Sequence, residues 1–423
     1  MTTRPTDKLR TATPGGDDIT TFILPSGLRV VVRRTTSPVV YCGYIVCAGT
    51  RHEEPADSGM AHFIEHMTFK GTARHSARAI ANVLERHGGE LNAYTNKQET
   101  VYYATVLREH FARAADLLTD IVFHSTFPQH EIDREVEVIC DEIESFKDSP
   151  SELIFDEFEQ LLYGSHALGR DILGDADRLR SYTTADALRF TTMHYRASNA
   201  VFYASGGITA AQVERVLQRL WSGVTPQPVL TASAPPMLLR TERTERRHRD
   251  THQAHVLMGT QTYSGTDDRR YALMLLNNLL GGPGMNSRLN QSLRERSGLV
   301  YTVDASLTTY TDSGWWAVYF GCDAHDVSRC IRLVNAQLRR LTDSALRPAT
   351  LLAAKRQLCG QIMISTDGAE NYALALGKTF AQYGSIYSPE ALCRRIMDLE
   401  ADDVLDVARE VYDSHALTTL IYR

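Results

Sequence analysis

What the chain lacks narrows the field first. Its seven cysteines (Cys42, Cys47, Cys140, Cys322, Cys330, Cys359, Cys393) are odd in number, scattered, and never spaced as CxxC. That pattern argues against a disulfide framework or a thiolate metal site and for free thiols in a reducing compartment. No apolar run is long enough to span a bilayer, and the first eighteen residues contain no apolar core of a secretory signal. Arg4, Lys8 and Arg10 stand among threonines, but Asp7, Asp17 and Asp18 are out of place in an acid-poor transit peptide. The expectation is a cytoplasmic protein with no membrane partner. Positive charge is also short. A net charge of −6 excludes a general nucleic-acid binder, because phosphate neutralisation needs a basic surface. The densest basic stretch, Arg243 to Arg249, contains Glu245, is flanked by Glu242 and Asp250, and reads as a solvated linker.

What remains is a chain of 423 residues with ordinary globular composition, too long for one hydrophobic core. Two domains of about 200 residues are expected. The polar residues 1–20 read as a disordered or frayed terminus. A hairpin follows, with Thr21–Leu24 and Arg29–Arg33 flanking the turn Pro25-Ser26-Gly27, and Val39–Cys47 adds a further strand. Helices are expected from Met60 to Phe69, stopping at Gly71, and from Ser76 as N-cap to the pair Gly88-Gly89. Strands near Leu91–Thr95 and Thr100–Leu107 come next. Glu131–Phe146 is an amphipathic helix, with Ile132, Val136, Ile139, Ile143 and Phe146 at helical spacing.

The second half repeats this order. Thr183 to Ala204 closes the first half as Leu399 to Tyr422 closes the chain, helix then strand. Gly88 to Tyr103 likewise parallels Ser297 to Tyr319. The fold class expected is α+β, an internal duplication of two homologous α/β-roll domains, each a mixed or antiparallel sheet packed with helices. Their spans are 21–222 and 251–423, joined by a proline-containing linker over 223–250.

His62 and His66 lie four apart on a predicted helix, so their imidazoles leave one face about a turn apart and can share a cation. Glu65 sits beside them, where a carboxylate can deprotonate a metal-activated water without being a ligand. The order HxxEH inverts the thermolysin-type motif. A catalytic zinc usually takes three protein ligands and a water. From the residues alone the third is Glu135 or Glu142, seven apart on one helix face, one ligating while the other orients a neighbour.

The stretch Gly59 to Thr72, with His62-Phe63-Ile64-Glu65-His66 at its centre, closely resembles the signature of the pitrilysin (M16) family of metallopeptidases, in its short form related to mitochondrial processing peptidase. The resemblance runs from about Leu24 to the C-terminus and includes His166 to Gly174. It implies one zinc per chain on His62, His66 and Glu142, the last lying 76 positions after His66 within Arg134 to Ile143. Glu135 falls at the family's second acid, behind the ligands. Asn92 and Ala93 match the edge strand that pairs with an extended peptide. Arg294 and Tyr301 match an arginine–tyrosine pair that reaches across to the zinc site, the first anchoring a substrate carbonyl and the second meeting the developing oxyanion. The second-half counterpart of the metal helix, Ala272 to Gly281, has no His, Glu or Asp, so that half completes a site and does not duplicate it. Glu99 departs from the pattern, since relatives often carry the acid one position earlier.

The implied activity is zinc-dependent endoproteolysis of short or unstructured peptides within a chamber closed by a clamshell of domains. Glu65 would take the proton of a zinc-activated water. A homodimer is expected, with a heterodimer containing a homologous subunit as the alternative. A different class stays open: a non-catalytic scaffold or partner subunit of the same fold. So does a narrower biology, the trimming of leader segments.

Overall fold

The computed structural model describes residues 9–12, 18–228, 235–238, 240–249 and 251–423. Arg4, Asp7, Lys8, Asp17 and Asp250 lie outside them. The described residues fall into two compact units, those within 1–143, 170–233 and 365–388, and those within 144–169, 234–364 and 389–423.

The first unit is built on strands β1 (Leu9–Ala12), β2 (Asp18–Ile23), β3 (Arg29–Arg34), β4 (Val39–Val46), β5 (Glu90–Thr95), β6 (Thr100–Leu107) and β7 (Ala200–Gly206). They form one mixed sheet in the order β1-β2-β3-β7-β4-β6-β5. The hairpin β2–β3 is present as expected. Leu9–Ala12 pairs antiparallel with Asp18–Thr21 and so has backbone partners that local composition does not reveal. Central β7 is buried at every position, the pattern of a strand covered on both faces. The second unit has β8 (Arg243–Arg247), β9 (Ala254–Thr262), β10 (Val300–Thr309), β11 (Gly314–Cys322) and β12 (Thr418–Tyr422) in the order β10-β11-β9-β12-β8. Arg243–Arg247, which composition reads as linker, is thus an edge strand parallel to β12. Its charge is met by Glu245 and by Glu157, which accepts from Arg249 at 2.5 Å and also pairs with Arg247.

The duplication extends to strand order and direction. Five strands of the first sheet, β3-β7-β4-β6-β5, correspond one for one to β8-β12-β9-β11-β10, each with one parallel pair followed by antiparallel pairs. Helices α1 (Met60–Thr68), α2 (Ala77–Glu85), α3 (Phe111–Phe123), α4 (Gln129–Lys147), α5 (Pro150–Tyr163), α6 (Ala176–Leu179), α7 (Thr184–His194) and α8 (Ala210–Leu220) belong to the first half of the chain. The second half supplies α9 (Arg270–Gly281), α10 (Val327–Thr342), α11 (Pro348–Ser365), α12 (Ala369–Tyr383), α13 (Pro389–Asp398) and α14 (Ala401–Val411). Ser76 caps α2 as its sequence indicates, accepting from the amide of Ala79 at 3.3 Å.

One pairing was not legible in the sequence. The first sheet's outer face, with Val31, Ile45, Val101 and Tyr203, is covered by Ala373, Leu376 and Phe380 of α12. The second sheet's corresponding face, with Leu257, Ala317 and Leu420, is covered by Ile154, Phe158 and Leu162 of α5. Each half of the chain therefore lends one helix to the other half's sheet. Among the described residues, no helix is long and apolar enough to cross a membrane.

Candidate metal centre

The metal helix α1 starts on a device its own sequence does not supply. Gly59, in the left-handed region at φ 82°, has no side chain to cap with. Glu53 serves instead, its two carboxylate oxygens accepting from the amides of Gly59 (3.1 Å) and Ala61 (2.8 Å). Burial pushes the Glu53 carboxyl up to about 8, while those two amides and Arg170 pull the other way. A second clamp comes from the loop after α5. A Cβ on Gly59 would lie 2.7 Å from the carbonyl of Leu173, and one on Gly174 (φ 81°) would lie 2.5 Å from the Cα of Gly59. Two glycines meet there because nothing larger fits.

α1 buries Met60, Ala61, Phe63, Ile64 and Met67 completely, and turns His62, Glu65 and His66 away from that core. The ring centroids of His62 and His66 are 4.6 Å apart. Both Nε2 atoms converge on one oxygen of Glu142, at 3.8 Å from His62 and 3.6 Å from His66. Among the described residues, these three donors lie within 4.8 Å of one another. A tetrahedral zinc with bonds of about 2.0–2.2 Å needs ligand atoms about 3.3 Å apart, so the set fits after small side-chain adjustments. Two imidazoles and a carboxylate are also a usual catalytic zinc donor set.

Neighbours prepare each ligand differently. Burial, helped by the charge of His66, lowers His62 to about 3, so it stands neutral with a free lone pair. Its Nδ1 is buried without a hydrogen-bond partner among the described residues. His66 also resists charge through burial. Its 3.0 Å hydrogen bond to Glu135 and the carboxylates of Glu65, Glu135 and Glu142 outweigh that and raise its pKa. Glu135 is buried yet held below the usual carboxylate range, because His66 and Lys70 (2.5 Å) overcome its desolvation. It touches neither His62 nor the cation position, and instead fixes the far nitrogen of His66.

Glu65 does not join the three donors. Burial raises its carboxyl above the ordinary range, against the hydrogen bond from Thr95 and the charge of His66. The Thr95 hydroxyl donates to Glu65 Oε2 at 2.7 Å, leaving Oε1 without that tether. Thr95 ends β5, which among the described residues is the free edge of the sheet and pairs only with β6. Along β5, Leu91 and Ala93 pack toward the core beneath α1, whereas Tyr94 packs with the α12 face. Asn92 is exposed and by alternation shares the side of Tyr94. Asn92 and Ala93 thus sit on opposite faces of an open strand edge.

Glu99 has a structural explanation. Its buried carboxylate accepts from Asn96 (2.8 Å), Lys378 (3.1 Å) and Gln382 (2.9 Å), tying the β5–β6 turn to α12. In the second unit, Arg294 lies on a π-helical turn (Asn290–Glu295) and Tyr301 near the start of β10, both exposed. The helix equivalent to α1 is α9, whose Asn277 accepts from the indole of Trp316 at 3.1 Å. Sequence reasoning missed Glu53, Lys70, Thr95 and the Gly174 clamp. Only Thr95 carried a signal, two positions after Ala93 on the same face of a recognised strand.

An inverted histidine motif completed by a distant helical glutamate, on one unit of a duplicated α+β fold, defines the metallopeptidase class. The comparisons agree. Residues 29–176 match the family model described as insulinase (peptidase family M16), and residues 181–358 match that of the peptidase M16 inactive domain. An uncharacterized zinc protease of Bacillus subtilis is 31% identical over 95% of this chain and 97% of its own length. Another from Streptomyces coelicolor is 34% identical over 95% and 86%. A protease structure from Helicobacter pylori superposes with a TM-score of 0.88 at 21% identity, covering 95% of this chain and 98% of that one. An M16 inactive-domain structure from Pseudomonas fluorescens gives the same TM-score at 22% identity, covering 96% and 97%. The chain belongs to the M16 peptidase family, whose curated relatives here are named zinc proteases.

Proposed function

We propose that this M16 member is an active zinc endopeptidase that cleaves short or unstructured peptides, including leader or precursor segments, in an enclosed chamber. The observation that carries the reading is the convergence of both Nε2 atoms on one oxygen of Glu142. His62, His66 and Glu142 would hold one zinc per chain, with Glu135 orienting His66. Zinc there supplies Lewis acidity toward a water molecule and the peptide carbonyl. Glu65 accepts the proton of the attacking water and returns it to the leaving amine. Its raised pKa suits a group that must take and release a proton near neutrality. The open edge of β5 receives an extended peptide by strand addition along Asn92 and Ala93. Arg294 anchors a peptide carbonyl and Tyr301 donates to the developing oxyanion, roles taken from the family resemblance and consistent with their exposed side chains.

All seven cysteines are free thiols, which supports assignment to the cytoplasm. A homodimer is proposed because this chain carries both the metal motif and the Arg294–Tyr301 pair. The test is zinc analysis of purified protein alongside cleavage of a peptide library with and without chelator. Stoichiometric zinc and chelator-sensitive cleavage are expected. Protein without zinc and without such cleavage would assign the chain to the non-catalytic scaffolds of this fold.

A further inference from the structure

A group of unmatched charges lies in the second unit. Arg288, Arg296 and Arg340, with Ser292 and Gln337, line a cavity of about 450 Å³. No carboxylate is among its described lining residues, and none of the three guanidiniums has an ion pair among the described residues. The half-buried Arg288 is held below its ordinary pKa by burial first and then by the charge of Arg340. Its other electrostatic neighbour is Tyr412, whose hydroxyl is buried without a hydrogen-bond partner among the described residues. Like charges brought together this way destabilise a fold unless something of opposite sign answers them.

The side-chain amides of Asn286, Gln291 and Gln357 are already committed. Asn286 and Gln357 exchange side-chain hydrogen bonds at 3.0 and 3.2 Å, and the Gln291 amide donates to the carbonyl of Met285 at 2.9 Å. They brace the walls, and the guanidiniums are left to bind. One wall is α10, carrying Gln337 and Arg340. The other is the π turn Asn290–Glu295, closed by the amide of Arg296 donating to the carbonyl of Gln291 at 3.2 Å.

We propose that this cavity binds a small, multiply charged oxyanion of the phosphate class. Guanidinium forks match tetrahedral oxyanions in bidentate fashion, and three positive charges call for more than the single charge of a carboxylate. The volume exceeds that of one phosphate, so a di- or triphosphate or a phosphate ester fits. Because the wall is the turn that bears Arg294, a bound anion braces that turn.

The test is calorimetric titration of the zinc-loaded full chain with inorganic phosphate and with tripolyphosphate at fixed ionic strength. The comparison protein is the double variant Arg296→Gln with Arg340→Gln, both positions being exposed. Saturable binding of one anion per chain is expected, tighter for tripolyphosphate, and weakened at least tenfold in the double variant with its melting temperature and zinc content unchanged. Anion captured by the zinc itself would persist in the double variant. That persistence, or the absence of saturable tripolyphosphate binding by the unmodified chain, would overturn the proposal.

Discussion

Replacing Glu135 tests how far the metal centre depends on a residue that does not touch the cation position. Its carboxylate lies 3.0 Å from Nδ1 of His66, with the Glu135 side chain 11% and the His66 side chain 22% exposed. At that separation, and an effective dielectric near 20, the gross attraction between full charges is about 5.5 kcal/mol. Most of it is not recovered in binding. Glutamine keeps the size and an acceptor for Nδ1–H, and the ammonium of Lys70 offsets part of the lost charge. What remains is about 1.5–3 kcal/mol, or roughly 10- to 100-fold in zinc affinity, the usual range for such orienting carboxylates. Glu135→Gln should fall near tenfold and Glu135→Ala near a hundredfold, measured by competition with a chelator of known affinity. Lys70→Met, which leaves the His66 contact in place, should change zinc affinity by less than either. Unchanged zinc affinity in both Glu135 variants would refute the argument that His66 is held for the metal by its far nitrogen.

Glu65→Gln should retain stoichiometric zinc while losing about 10²–10⁴ in kcat, the range for a removed general base; near-normal turnover would eliminate that role. Thr95→Val should lower kcat about tenfold with KM little changed, since a hydrogen bond to a charged group contributes about 1.5–3 kcal/mol. Thr95→Ser should restore kcat, and failure of that rescue would point to packing instead. Zinc affinity should depend on pH through His66 and not His62. Zinc must displace any proton on His66, whose pKa is raised by the Glu135 hydrogen bond and the nearby carboxylates against its burial, so affinity is full above that pKa and is lost, about tenfold per unit, as pH falls below it. His62, lowered to about 3, stays neutral over the same range. Calorimetry in two buffers should therefore show one proton released per zinc at most. Gly174→Ala should cost about 2–4 kcal/mol, combining a left-handed backbone with a close contact, and a melting temperature equal to that of the unmodified chain would contradict it.

Much of the site was legible because its chemistry is local. HxxEH occupies five consecutive positions, and the acidic face of α4 follows from helical period alone. The choice of Glu142 over Glu135 was not visible in that period, since both lie on one face. It came from family resemblance, and geometry separates them by what each touches. The supports were illegible for a physical reason. Glu53 caps a helix that begins several residues downstream, and Gly174 meets Gly59 across more than a hundred residues of chain. The edge strand Arg243–Arg247 was hidden by its charge, because an edge strand whose side chains pair with glutamates needs no apolar alternation. The duplication was visible in element order, but not the exchange of covering helices. Periodicity reports that a helix has an apolar face and is silent about which sheet receives it.

That exchange has a consequence for how the chain is made. The first unit's sheet is drawn wholly from the first 206 residues, yet one of its faces stays bare until α12 emerges, ending at Tyr383. A ribosome delivers residues in order, at about 5–20 per second, so the first unit is finished at Ser388, only 35 residues before the second reaches Arg423. Until then an apolar sheet face is open to solvent, and the nascent chain has every reason to depend on a chaperone during the second half of its synthesis.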